Sequence, residues 1–229
     1  MTLGGRPALF IGSLILGCAL SLGAMRSGVS AGERFVAPDI TAAGDIPYPV
    51  EIVGAGLVTL SLNLSVAGQP PAVQVLRDVP GLTSLTSSIV AGWTYTPGKL
   101  DGNAAPSTIN IEVVFNPGDF NGQNLKVPPV APAPPPFPAG YLPAEVAVGS
   151  YASYPMNSVA TGAVVLDVLV DKNGNAKKIG VVRDVPSLTR EAIAAVKRWT
   201  INPATFNGKP IASKLVVAYV FRSPTVSTQ

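Results

Sequence analysis

Residues 163–183 read AVVLDVLVDKNGNAKKIGVVR, and the fold turns on them. Ala163–Val170 is dense in β-branched residues, which suit a pleated strand. Asp171-Lys172-Asn173-Gly174-Asn175 follows, and Asn-Gly supplies the positive φ angles of a hairpin turn. Ala176–Arg183 then returns as a second strand. Pro186 and Ser187 open a helix over 188–199. Leu188, Ala192, Ala195, Val196 and Trp199 share its apolar face, with Arg190, Glu191, Lys197 and Arg198 on the other side. Asn207-Gly208-Lys209-Pro210 is a turn. A third strand, 211–221, puts Leu215, Val217, Tyr219 and Phe221 on one face. The order β-β-α-β implies an α+β fold: a three-stranded antiparallel sheet with one helix packed on it.

Working outward, the pattern recurs without gaps 106 residues earlier. Tyr48-Pro49 returns as Tyr154-Pro155, Gly56 as Gly162, Gly68 as Gly174, and Arg77-Asp78-Val79-Pro80 as Arg183-Asp184-Val185-Pro186. Leu82-Thr83, Trp93-Thr94, Pro97, Gly102 and Phe115 also have counterparts. Roughly 30% of positions over 46–115 are identical in 152–221, which chance does not supply. The expectation is two tandem β-β-α-β modules, 46–116 and 152–223, joined by a Pro-rich linker, 117–151. Its centre, VPPVAPAPPPFPAGYLP (127–143), excludes a helix or a central strand and reads as a polyproline II spacer reaching ~50 Å.

The remaining sequence limits the function. The chain has no histidine and one cysteine, Cys18. That removes most metal sites, histidine-activated nucleophiles and any internal disulfide. Turn chemistry explains Asp171, and Asp167 has no matching acid in the other copy, so the two are not read as a catalytic pair and no enzyme, cofactor or small-molecule substrate is expected. The net charge of +3 and the lack of basic runs argue against nucleic acid. Residues 8–25 form an uncharged apolar stretch at the lower limit for a membrane span. Residues 1–34 are therefore a membrane anchor, a signal peptide cut after Val29-Ser30-Ala31, or a lipoprotein signal ending in Ile15-Leu16-Gly17-Cys18 with Cys18 the lipidation candidate. All three export the remainder.

The C-terminal motifs resemble the TonB C-terminal domain. They are Tyr154-Pro155, Gly162, Asp171 to Gly174, Arg198-Trp199 with Pro203, Gly208-Lys209-Pro210 and Phe221-Arg222. The resemblance covers most of 152–222 and, through the repeat, extends more weakly to 46–115. It implies a periplasmic interaction domain on an inner-membrane anchor. In that family a sheet edge accepts an extended peptide of an outer-membrane transporter. The last strand, 211–221, is then the expected edge. Three departures count against a motor-coupled transducer. Only six residues separate Tyr-Pro from the strand glycine, so the family's short helix there is expected to be lost. The histidine of its motor-coupling anchor is missing. The spacer is also too short to cross a periplasm.

The two modules differ in surface. Residues 46–115 carry two basic against four acidic side chains, and 152–221 carry nine against four. The first helix, 82–93, is expected to show uncharged Thr83, Ser84, Ser87 and Ser88 outward, a face open to a partner. On the last strand of the first module, Thr108, Asn110, Glu112 and Val114 form a face that water tolerates. On the last strand of the second, Lys214, Val216, Ala218 and Val220 form a face that needs cover from a partner or from the other module. Trp93 and Trp199 read as core closures, and Arg77-Asp78 and Arg183-Asp184 as local ion pairs. Two functions stay open. One is a TonB-like protein that binds a partner through its sheet edge in envelope transport. The other is a structural accessory subunit clamped on the periplasmic side of a membrane complex.

Overall fold

The computed structural model describes residues 34–52, 54–70 and 73–223. The expected membrane segment 8–25 and Cys18 lie outside these residues. The fold is mixed α+β. Its main sheet is built from β1 (Gly56–Leu64), β2 (Val73–Arg77), β3 (Ser107–Pro117), β4 (Gly162–Val170), β5 (Ala176–Arg183) and β6 (Ser213–Arg222). Two helices, α1 (Thr83–Ala91) and α2 (Thr189–Val196), flank it. No helix among the described residues is long and apolar enough to cross a membrane.

Local chemistry explains the elements. Gly174 sits at φ +82°, and a Cβ there would meet the Ile201 carbonyl oxygen at 2.1 Å. The hairpin therefore lies so close to the strand after α2 that only glycine fits. Asp171 accepts hydrogen bonds from the amides of Asn173 (2.8 Å) and Asn175 (2.9 Å), which closes the turn. These bonds, led by that of Asn175, lower the Asp171 pKa to about 2. Both helices begin with the same device. Thr83 Oγ1 accepts from the Val79 amide at 2.9 Å, and Thr189 Oγ1 from the Val185 amide at 3.0 Å. The repeated Leu-Thr pair thus ties each loop to the first turn of its helix.

The six strands run in the order β5-β4-β6-β3-β1-β2. Four of the five pairings lie within one half or the other; the central one crosses between them. β6 pairs in parallel with β3, Val216 opposite Ile111 through to Arg222 opposite Pro117. The expectation that 211–221 is a free edge is therefore corrected: that strand has β4 on one side and β3 on the other. The register also has a consequence. The repeat equates Ile111 with Val217, yet Ile111 lies opposite Val216. Side chains alternate with a period of two, so a one-residue offset sends equivalent side chains to opposite faces. The two helices consequently cover opposite faces of one sheet. Leu82, Val90 and Trp93 share a core with Leu60, Ile109 and Ile111; Leu188, Ala192 and Trp199 share another with Val164, Leu166 and Tyr219.

Each half sends its leading segment across the other half. Asp39–Ala42 pairs with Thr94–Thr96, and Ile40 and Ile46 lie in one core with Ala163, Val165, Val216, Ala218 and Val220. In the equivalent place, Glu145–Ser150 pairs with Thr200–Asn202. Ala144, Val146 and Ala152 then meet the outward face of β3, where Asn116 holds the Ala152 amide at 2.8 Å.

The Pro-rich segment is not a free spacer. Arg77 Nε donates to the Pro128 carbonyl at 2.5 Å, and the Ala131 amide to the Leu76 carbonyl at 2.8 Å. The Thr108 amide donates to the Phe137 carbonyl at 2.9 Å. The segment thus runs from the edge strand β2 to the start of β3 as a strap. Proline lacks an amide donor but keeps its carbonyl, so an extended proline chain can still accept hydrogen bonds from a sheet. Between Pro155 and Gly162 there is a turn and no helix.

Candidate functional site

The residues expected to meet a partner divide into buried and exposed sets. Val216, Ala218 and Val220 are fully buried beside Ile111, Val113 and Phe115. Their cover comes from within the chain. Lys214, at the edge of this patch, bonds Asp167 and lies 3.0 Å from Asp39. Partial burial lowers its pKa, but the hydrogen bonds it donates to the two carboxylates, with their charges, outweigh that and raise it overall.

On α1 the expectation is corrected in part. Thr83 is buried and bonded to Val79, so it is not on the outer side. Ser87 is half-buried, and its hydroxyl returns to the Thr83 carbonyl at 2.8 Å. Ser84, Leu85 and Ser88 are exposed. Their face carries no charge.

The outward face of the first half is also corrected. Thr59, Thr108, Asn110, Glu112 and Asn116 are buried under the strap and the leading segment 144–152. Glu112 is wholly enclosed. It accepts from Thr59 Oγ1 at 2.5 Å and from the Val146 amide at 3.5 Å, and Arg77 Nη1 lies 3.7 Å away. Arg77 also donates to Thr59 Oγ1 at 2.9 Å and pairs with Glu145. Burial pushes the Glu112 carboxyl up to about 7, against the pull of Thr59 and Arg77. The arginine-aspartate pairs foreseen from the repeat are not formed. Arg77 pairs with Glu112 and Glu145, and Arg183 with Asp45 at 3.2 Å. The residues equivalent to Thr59 and Glu112 are Val165 and Ala218, which leave Arg183 no buried acid.

Sequence reasoning missed a cleft of about 450 Å³ where β1 and β4 begin and β3 and β6 end. Asp45, Tyr48, Val50, Gly162 and Arg222 line it. The Tyr-Pro pairs shape this end. The Tyr154 hydroxyl donates to the Ala160 carbonyl at 2.8 Å, and Tyr48 makes the same bond to Gly54, so each loop closes on its own tyrosine. The position after each Tyr-Pro is then left in solvent: Val50 is 87% exposed and Met156 wholly so, with Val159 close behind. Their recurrence at equivalent positions was the signal available in the sequence.

No constellation with a metal-binding arrangement occurs among the described residues. What the geometry offers is surface. Residues 150–223 match the family described as Gram-negative bacterial TonB protein C-terminal. This stretch is a TonB C-terminal domain. The match holds β4, β5, α2 and β6, the elements that opened the sequence reading. The family is one of periplasmic interaction and energy-transduction domains and not of enzymes. No curated protein and no solved structure matches the chain. In this TonB C-terminal domain the last strand is already paired on both sides.

Proposed function

We propose that the chain is a membrane-anchored periplasmic protein made of two tandem TonB-type modules closed on each other, and that it serves as a structural accessory subunit of a membrane protein complex. The modules on this reading comprise the two β-β-α-β runs together with their leading segments from 35 and 141. The anchor is residues 8–25, a single span of the inner membrane. The carrying observation is the parallel pairing of β6 with β3. Strand addition needs an open edge, and this pairing takes the last strands of both modules.

The other edges support the same reading. The Pro-rich strap lies against β2 through Ala131 and Leu76. β5 has no strand beyond it among the described residues, but it carries Lys177 and Lys178 and two register shifts against β4. Lysines and bulges are the usual means by which edges resist an added strand. Partner contact is better placed on the exposed apolar tips Val50, Met156 and Val159 and on the uncharged α1 face at Ser84 and Ser88. The second reading, a TonB-like protein in envelope transport that accepts a peptide on a sheet edge, would have to use β5.

The test is purification of the full chain in mild detergent from its native membrane, wild type beside a Val50→Asp/Met156→Asp variant. A stoichiometric membrane complex with the wild type, lost with the variant, is the expected result. An outer-membrane transporter retained by both proteins would favour the second reading. A free monomer in both would overturn the two together.

A further inference from the structure

Arg222 ends β6 at the cleft between the two Tyr-Pro loops. Its guanidinium lies over the Tyr48 ring, 4.8 Å from the centroid, and Nη1 donates to the Ile52 carbonyl at 3.0 Å. Nε is buried and has no acceptor. No carboxylate pairs with Arg222 among the described residues. The one acid on the cleft wall, Asp45, is engaged elsewhere. It accepts from the Ala163 amide at 2.8 Å and pairs with Arg183 at 3.2 Å.

A partly buried guanidinium without a counter-charge, and with one donor unsatisfied, is costly in a folded protein. Arg222 Nη2 makes no hydrogen bond among the described residues and, unlike Nε, is not buried, so it is the spare donor that an incoming carboxylate reaches. The cleft has the size of a small ligand site. Its rim carries Val50, exposed and apolar, beside the Tyr48 ring. The equivalent position in the first half is Asn116, whose amide is consumed by Ala152 through both its oxygen and its nitrogen. The feature therefore occurs once among the described residues.

We propose that Arg222 receives an aspartate or glutamate side chain from an extended acidic-apolar segment of a partner protein, with a flanking apolar residue resting on Val50 and Tyr48. This deepens the partner-binding reading and rests on it. The cation, the spare donor and the apolar rim are present together at the seam between the halves, and no acid among the described residues neutralises the cation.

The probe is the capped tripeptide N-acetyl-Leu-Glu-Leu-amide, titrated into full chain in detergent micelles with ¹⁵N-labelled arginine. The Arg222 Nε–H resonance should shift saturably, with at least about tenfold weaker binding for the same peptide carrying Gln in place of Glu. In uniformly ¹⁵N-labelled samples followed through the Tyr48 amide, the wild type should respond to the Glu peptide and Arg222→Gln should lose the response. Should that variant not fold, the Glu and Gln peptides on the wild type decide the matter. Equal binding of the two peptides, no shift up to about 10 mM, or tighter binding of N-acetyl-leucine, which offers a chain-end carboxylate, would each overturn the proposal. Co-purification of a complex alongside a failed titration would reject this site and leave the accessory-subunit reading standing. A positive titration with no complex would do the reverse.

Discussion

The two halves present opposite chemistry on the outward faces of their last strands, and both faces are buried. In the second half the face is Val216, Ala218 and Val220, enclosed by apolar contact with Ile40, Ile46 and the neighbouring Ile111, Val113 and Phe115. In the first it is Thr108, Asn110, Glu112 and Asn116, enclosed by the backbone of 137–152. The difference teaches that polarity of a strand face does not reveal whether it meets water. A polar face can be covered when the covering chain is extended, because such a chain offers free amides and carbonyls. The apolar face is enclosed by the hydrophobic effect and tolerates no charge; the polar face is enclosed by named bonds and fails when one partner is removed.

The most direct way to break this contrast is to charge the apolar face. Val216→Asp and Val220→Asp should each cost more than about 4 kcal/mol, because a carboxylate would be buried without a partner. Urea denaturation should show the loss as a lower midpoint at similar slope, or as a chain that does not fold at all. A variant near wild-type stability would show that the face is open.

The next effect belongs to the polar face. Arg77→Ala leaves Glu112 enclosed without its cation and should cost about 3–5 kcal/mol at pH 8. Arg183→Ala removes the equivalent residue of the second half. Its pair with Asp45 is substantially exposed, so the cost should be about 1 kcal/mol or less. Measuring both by denaturation at one pH tests whether the halves have diverged as described; equal costs would contradict it.

A pH series sharpens the same point. The Glu112 carboxyl is raised from 4.5 to about 7 in the folded chain. The folded state therefore holds this proton more tightly than the unfolded state. Its contribution is fully present below about 4.5 and is lost as pH rises through about 7. The loss is on the order of 3 kcal/mol and should vanish in Glu112→Gln. The smallest effect is expected on α1. Ser84→Asp and Ser88→Asp should change stability by no more than about 0.5 kcal/mol, since both side chains are exposed, while reducing co-purification with the partner complex. Unchanged co-purification would remove that face from the interaction surface.

Much of the local structure was legible. The strand run 163–170, the Asn-Gly turn and the return strand to Arg183 are found where the residue types place them. The helix expected over 188–199 is found as Thr189–Val196, with Leu188 as its cap residue. The tryptophans sit as core closures, 6% and 8% exposed, and Trp199 Nε1 donates to the Ser150 carbonyl at 3.4 Å. These features depend on neighbours within a few residues. The pairing of β6 with β3 does not. It joins residues about a hundred positions apart, and nothing in either strand's own pattern names its partner. The strap formed by the Pro-rich segment is illegible for a related reason. Its composition excludes a helix, but an extended spacer and an extended strap look alike until the sheet that receives the strap is known. The cleft at Arg222 is not legible in the sequence because Phe221-Arg222 reads there as a family motif, and the lack of a counter-charge among the described residues is a fact of three dimensions.

The central claim is that 107–117 and 213–222 are neighbouring strands of one sheet. Amide hydrogen exchange of the full chain tests it most directly. If β6 is internal, the amides from Val216 to Phe221 are all protected, to the same degree as those of β4, and those from Ile111 to Phe115 match them. If β6 is a free edge, every second amide of that run exchanges at the rate of a loop, and the account of two modules closed on each other is wrong.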